Sequence, residues 1–139
     1  LGPGRIHHCM RSIGQAERAL DLMCVRGMTR EAFGRPLVKL GGNTEIISRA
    51  RIEIEAMRMM VLKAMVPERV CQIIDQAIQV HGAAGVSQWT PLAQMYTSQR
   101  TLRLADGPDE VHHMVVGRAE LAKYTGEEED PALAAVWRK

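Results

Sequence analysis

An all-α fold, an antiparallel helical bundle, is predicted by three features of the sequence. Aromatic residues make up only 4% of the 139 positions while Met occurs nine times, and the apolar 46% comes mainly from Ala, Leu, Ile, Val and Met. That is the palette of packed helices, not of sheets. Apolar residues recur at steps of three and four over long stretches, the period of one helical face. The intervening segments are rich in Gly and Pro and break the period cleanly.

The elements follow in order. Ile6, Met10, Ile13, Ala16, Leu20 and Met23 define the first helix, to about Met28. Thr29 to Asn43, with Pro36 and three glycines, has no sustained period and reads as a loop. Asn43 and Thr44 then offer a cap for a second helix carrying the seam Ile47, Ala50, Ile54, Met57 and Val61. Val70, Ile73, Ala77 and Val80 mark a third helix ending at Gly82. Between the second and third lies only KAMVPER, which has no turn composition, and Pro67 there either starts a helix or kinks one. After the loop HGAAGVSQWTP comes a helix from about Leu92 to Leu104, then Gly107-Pro108, then a last helix from about Asp109 to Tyr124. Residues 1–124 thus form one helical domain, and 125–139 read as an acidic, then weakly amphipathic, tail.

Composition narrows the function. The chain is long enough for one core and too short for two. A net charge of +2 is too small for the electrostatic footprint of a nucleic-acid binder, and few aromatics are available for base stacking. Cys9, Cys24 and Cys71 are widely spaced, which argues against a disulfide framework or a structural zinc site and fits a reducing compartment. His7-His8 and His112-His113 are adjacent pairs whose members face different sides of a helix, a poor metal-ligand spacing. No apolar run is long enough to cross a bilayer. The first residue is Leu1 and not Met, the expectation for a domain belonging to a longer chain.

Three loops carry more chemistry than a connection needs. Arg30-Glu31-Ala32-Phe33-Gly34-Arg35-Pro36 reads either as a surface turn or as a guanidinium presented to phosphate. Gln79-Val80-His81-Gly82-Ala83-Ala84-Gly85 reads as a helix stop or as a close approach of another backbone or a ligand; no strand precedes it, so a Rossmann site is excluded. Arg103 to His112 reads as a helix–turn–helix joint with Asp109 as cap, or as a bend that holds the Asp106 carboxylate as a general base.

The order of the pieces is more specific than any one of them. LGPGRI, then GxAERAL (Gly14 to Leu20), REAFGRPL, QVHGAAG and LRLADGPDEVH resemble, from Leu1 to about Tyr124, the C-terminal helical domain of flavin-dependent acyl-CoA dehydrogenases, above all the subgroup called family members ten and eleven. The resemblance implies α,β-dehydrogenation of an acyl-CoA to a trans-2-enoyl-CoA in fatty-acid β-oxidation, with FAD as cofactor. It implies Asp106, before Gly107, as the catalytic base where many relatives have Glu-Gly, with Gly107 on the cofactor side. Arg30 then reaches the FAD pyrophosphate of a neighbouring subunit with Phe33 beside it, Gln79, Gly82 and Gly85 lie along its ADP half, and Arg5 contacts the CoA nucleotide. Implied partners are the acyl-CoA substrate, an electron-transfer flavoprotein as electron acceptor, and further copies in a homodimer or homotetramer. The location implied is mitochondrial or peroxisomal in a eukaryote and cytoplasmic in a bacterium.

Several positions depart from the family pattern. Asp106 is one methylene shorter than Glu, Pro108 and Glu110 replace Thr and Gln, Gly41 stands for a Gln, and Ala105 for a Tyr. The largest departure lies near Met65 and Val66, where about two dozen residues, roughly 35 Å of helix, are missing relative to the family. A deletion in the protein and a segment missing from the numbered chain both account for it. The chain alone lacks the domains that enclose flavin and acyl group in the family, so it is expected to be inactive by itself. The competing reading is a non-catalytic helical module for oligomerisation or regulation.

Overall fold

The computed structural model describes residues 2–60 and 63–125. Among the described residues five α-helices dominate: α1 (Gly2–Thr29), α2 (Asn43–Met60), α3 (Val66–His81), α4 (Leu92–Leu102) and α5 (Asp109–Thr125). The expected tail lies outside the described residues apart from Thr125, and so does Val61.

At 28 residues α1 is the longest element, about 42 Å along its axis, and α2, α3 and α4 pack against it. Its buried stripe is Cys9, Ile13, Ala16, Leu20 and Met23, joined by Ser12 and Ala19. Ile6 and Met10, expected on that stripe, are exposed; Cys9 takes the inward position one residue before Met10, and the three/four period fits either register over so few turns. Ala50, Ile54 and Met57 from α2 and Val66, Val70, Ile73, Ile74 and Ala77 from α3 complete the core, with Leu92 from α4. Burying these side chains contributes about 1.5–3 kcal/mol for each large aliphatic one.

Side-chain pairs fix the antiparallel packing. Glu17 of α1 meets both Arg51 and Arg58 of α2, while Gly27, a turn from the end of α1, lies against Val38 before α2 begins. Arg69 near the start of α3 lies 3.8 Å from Glu53 in the second half of α2. Pro67 sits in the first turn of α3, where its missing N–H has no intrahelical partner to lose, so it starts that helix and does not kink it. Residues 63–65 form a turn ahead of it.

The stretch 29–43 is more ordered than its composition predicts. Two short strands, β1 (Glu31–Ala32) and β2 (Arg35–Pro36), pair antiparallel with Ala32 opposite Arg35, followed by a 3-10 turn over Leu37–Lys39. Asn43 opens α2 and its side-chain amide donates to the Leu37 carbonyl at 2.7 Å, while the Thr44 hydroxyl donates to Val38 O at 2.8 Å. Both side chains tie the turn to the helix.

A candidate active-site joint at one end of the bundle

The chain bends sharply between α4 and α5. Asp106 has φ +54° and Gly107 φ +95°, so two successive residues lie in the left-handed region. Gly adopts it freely and Asp tolerates it better than most residues, at a cost of order 1 kcal/mol. A Cβ at Gly107 would come within 3.2 Å of the His112 ring one turn into α5, so the joint folds back on that helix. The bend is closed by an Asp109 N–H donating to Arg103 O at 3.1 Å. Asp109 does not act as the expected side-chain cap. Its Oδ2 accepts from Arg103 Nε at 2.5 Å and its Oδ1 has no partner, so the carboxylate braces the two ends of the joint. The Pro108 carbonyl takes the first bonds of α5, from the N–H groups of Val111 and His112.

Other elements converge on this bend. His8 of α1 places Nε2 at 2.8 Å from Asp106 Oδ2. Lys63, from the turn before α3, donates to the carbonyls of Ala105 and Gly107. Burial pushes the Lys63 ammonium below its ordinary value, opposed by the Asp109 and Asp106 carboxylates and helped by Arg5. Burial, and then the Lys63 and Arg5 cations, likewise push the His112 imidazole down. Arg5 therefore belongs to this cluster, and its Nε is buried without a hydrogen-bond partner. The structure thus brings Asp106, Gly107 and Arg5 together at one end of the bundle, ringed by three cationic or basic side chains.

The remaining expected site residues lie elsewhere. Arg30 follows the far end of α1, about 33 Å along the helix from His8. Phe33 and Gly34 form the β1–β2 turn with φ +51° and +73°, the paired left-handed geometry of a tight hairpin. A Phe in that geometry is strained, and its ring is 93% exposed. Gln79 and Gly82 are exposed, with Gly82 at φ +62° and open space where a Cβ would stand. Gly85 differs from both: it is buried, and a Cβ there would lie 2.6 Å from Ile78 O, so this glycine is required by packing on α3.

His8 and Lys63 were not expected at the site from sequence, being distant in the chain; Arg103, Asp109 and His112 lie in the LRLADGPDEVH stretch singled out there, but the Arg103–Asp109 pairing and the place of His112 beside Gly107 were not expected. Among the described residues no group of three or more His, Cys, Asp or Glu side chains is placed to hold a metal ion, and no helix there is long and apolar enough to cross a membrane.

A fold of antiparallel helices with a carboxylate in the α4–α5 bend defines a class. The acyl-CoA dehydrogenase C-terminal domain family matches residues 1–66 and 59–121, and the chain belongs to that family. It is 50% identical over 142 residues to acyl-CoA dehydrogenase family member 11 of Rattus norvegicus, covering 87% of this chain and 18% of the relative. With family member 10 of Mus musculus it shares 47% identity over 157 residues, 98% of this chain and 15% of the relative. A candidate acyl-CoA dehydrogenase structure from Mycobacterium abscessus superposes with a TM-score of 0.87 at 50% identity, over 90% of this chain and 36% of that one. The chain therefore spans a minor part of the proteins it matches. Both sequence alignments are longer than the stretch of this chain they cover, so these relatives carry residues that it lacks. The family match also divides in two at residues 59–66, where the shortened connection was expected.

Proposed function

We propose that this chain is the C-terminal helical part of a flavin-dependent acyl-CoA dehydrogenase, and that Asp106 is its catalytic base. The observation that carries the reading is the placement of Asp106: a carboxylate in a left-handed bend, held through one oxygen by His8, at an end of the bundle where Arg5 also lies. His8 engages Oδ2 and leaves Oδ1 for a substrate proton.

In the reaction the C–H bond at the α-carbon of the acyl thioester breaks and its proton passes to Asp106. The electron pair left behind forms the α,β double bond as a hydride leaves the β-carbon, giving the trans-2-enoyl-CoA. FAD, when bound, would supply the hydride acceptor, with an electron-transfer flavoprotein as the electron acceptor of the reaction. The short Asp side chain demands close approach of the α-carbon, because proton transfer needs hydrogen-bond reach. Arg5 has a buried, unsatisfied Nε beside the joint, a donor suited to the CoA nucleotide portion.

The residues for FAD fit the group at the other end of α1. Arg30 offers an exposed guanidinium, Phe33 an exposed ring and Gln79 an exposed amide beside the open Gly82. Gly85 fits a different role, since it is filled by its own chain. The distance from Arg30 to the Asp106 joint supports a shared arrangement, in which the hairpin of one subunit serves the cofactor of its neighbour in a homodimer or homotetramer. Asp106 is 43% exposed in this chain, so the other domains must exclude water and the isolated chain is inactive.

The test is Asp106→Asn in the full-length, flavin-loaded protein. Anaerobic bleaching of the flavin by acyl-CoA should slow by about 10²–10⁴-fold, the contribution of a positioned general base. Bleaching at the unmodified rate would overturn the assignment.

A further inference from the structure

Lys63 makes a contact that the base assignment does not use. Its side chain is only 6% exposed, and its ammonium reaches across 42 and 44 residues of sequence to two carbonyl oxygens, Ala105 O at 2.5 Å and Gly107 O at 2.7 Å. These carbonyls bracket Asp106, whose own backbone is left-handed at φ +54°.

The geometry has a mechanical consequence. The Ala105 and Gly107 carbonyls point at a common centre only if the φ and ψ angles of Asp106 and Gly107 between them are fixed, and their oxygen dipoles repel unless a cation stands between them. Bonds from a charged donor are roughly twice as strong as neutral ones. An ammonium at that centre therefore holds the 105–106 and 107–108 peptide planes, which bracket the left-handed Asp106–Gly107 pair, and so sets the direction in which the Asp106 carboxylate leaves the backbone. Desolvating a lysine is unfavourable, and a position that serves only to fill space is better taken by an apolar side chain. The charges facing this ammonium are Asp106 and Asp109 of the joint and Arg5 of α1, with Cys9 of α1 and His112 of α5 beside it. The Asp109 and Asp106 carboxylates offset part of the effect of burial and of Arg5, which push the ammonium below its ordinary value.

We propose that Lys63 is a positioning residue for the base: it pins the Ala105 and Gly107 carbonyls that bracket the Asp106–Gly107 bend and fixes the aim of the Asp106 carboxylate at the substrate α-carbon. The inference rests on the reading of Asp106 as the base. The contacts of Lys63 are to the backbone of the joint, so it acts through Asp106. A shift of about an ångström in a reacting group costs up to about a hundredfold in rate, which is the scale available to such a clamp.

The experiment uses the full-length, flavin-loaded protein with Lys63→Met, Lys63→Arg, Asp106→Asn and the double variant Lys63→Met/Asp106→Asn, read by anaerobic flavin bleaching with acyl-CoA. Lys63→Met keeps the apolar stem and removes the donors, and should lower the bleaching rate by about tenfold or more with little change in KM. Lys63→Arg, which restores a cationic donor pair, should recover most of that loss. In the Asp106→Asn background Lys63→Met should have no further effect. Amide hydrogen exchange of residues 105–107, a readout independent of turnover, should speed up in Lys63→Met. If Lys63→Met does not fold, Lys63→Gln, with a neutral donor, should give an intermediate rate and intermediate exchange; a Gln variant equal to the unmodified protein in both would overturn the clamp. A Lys63→Met rate equal to the unmodified one while Asp106→Asn is inactive would overturn the clamp and leave the base standing. Equal losses from Lys63→Met in both backgrounds would reduce Lys63 to a structural residue. Full activity of Asp106→Asn would remove the base and the clamp together.

Discussion

His8 Nε2 lies 2.8 Å from Asp106 Oδ2, and the other ring nitrogen, Nδ1, lies 2.8 Å from Arg11 Nη2. An arginine can only donate, so Nδ1 is the acceptor and the ring proton sits on Nε2, from which it is donated to the carboxylate. Arg11 thus selects the tautomer of His8, and His8 orients the Asp106 carboxylate from α1. Both partners are partly exposed, so the pair adds less than about 1 kcal/mol to stability. His8→Ala in the full-length protein should leave the melting temperature nearly unchanged and lower kcat by about tenfold through loss of orientation. His8→Gln, which can donate from its amide, should fall between. Stopped-flow flavin reduction beside thermal melting checks this, and an unchanged kcat in His8→Ala would contradict it.

Glu17 ties α1 to α2 by a fork. Arg51 donates from Nη1 and Nη2 to its two oxygens at 2.8 Å each, and Arg58 Nη2 reaches Oε1 at 2.6 Å. The Arg51 hydrogen bonds, with the Arg51 and Arg58 charges, hold the Glu17 carboxyl below its ordinary 4.5. A folded value below the unfolded one means that the stabilisation is complete above that ordinary value and is lost as pH falls beneath it. Glu17→Gln should cost about 1 kcal/mol at neutral pH and low salt, less at high salt, and nothing in acid. Melting temperatures across pH and ionic strength give the answer; a penalty that persists unchanged in acid would exclude the fork as its cause.

Much of the bundle was legible because period and punctuation agree. The seam Ala50, Ile54, Met57 and the run Val70, Ile73, Ala77 are buried as their spacing requires, and Gly82 and Pro91 stand at helix borders. The stripe on α1 was read one residue off at its start, since Ile6 and Met10 are apolar yet outside the packed face. Asp106 and Gly107 were legible as a turn because these residue types tolerate a left-handed backbone. Lys63 and His8 were not, because hydrogen bonds between distant segments leave no periodic trace in a sequence. At Gly85 the small residue makes room for another backbone, one of the two kinds of close approach its loop offered: α3 packs against it through Ile78.

Two glycines test that distinction between kinds of space. At Gly85 a Cβ would lie 2.6 Å from Ile78 O and 2.8 Å from Ile78 Cα, backbone atoms that cannot turn aside. Gly85→Ala should destabilise the protein by about 1–3 kcal/mol, as overpacking does, and displace the loop beside Gln79. Gly14, inside α1, has nothing within 4 Å of a built Cβ. Gly14→Ala should therefore stabilise by about 0.5–1 kcal/mol through helix propensity. Denaturant melts of the two variants should move in opposite directions, and a Gly85→Ala protein as stable as the unmodified one would refute the contact.

The joint also carries a pH dependence that can be separated from the rest of the molecule. Burial, and then the Lys63 and Arg5 cations, keep the His112 imidazole below its ordinary 6.5, and its Nε2 is buried without a partner beside Gly107. Protonating it places a third positive charge in that cluster. The unfolded chain binds this proton more readily than the folded one, so stability rises with pH through this window. The contribution is therefore fully present above 6.5 and is lost as pH falls through the lower folded value. Glu17 acts below 4.5, and Lys63, itself lowered from 10.5, acts on the alkaline side, so neither shapes the interval just under 6.5. Melting of the unmodified protein should fall as pH drops through that interval, and His112→Gln, which does not titrate, should show a shallower slope there while matching it in alkali. Equal slopes in the two proteins would mean that His112 is not the group responsible.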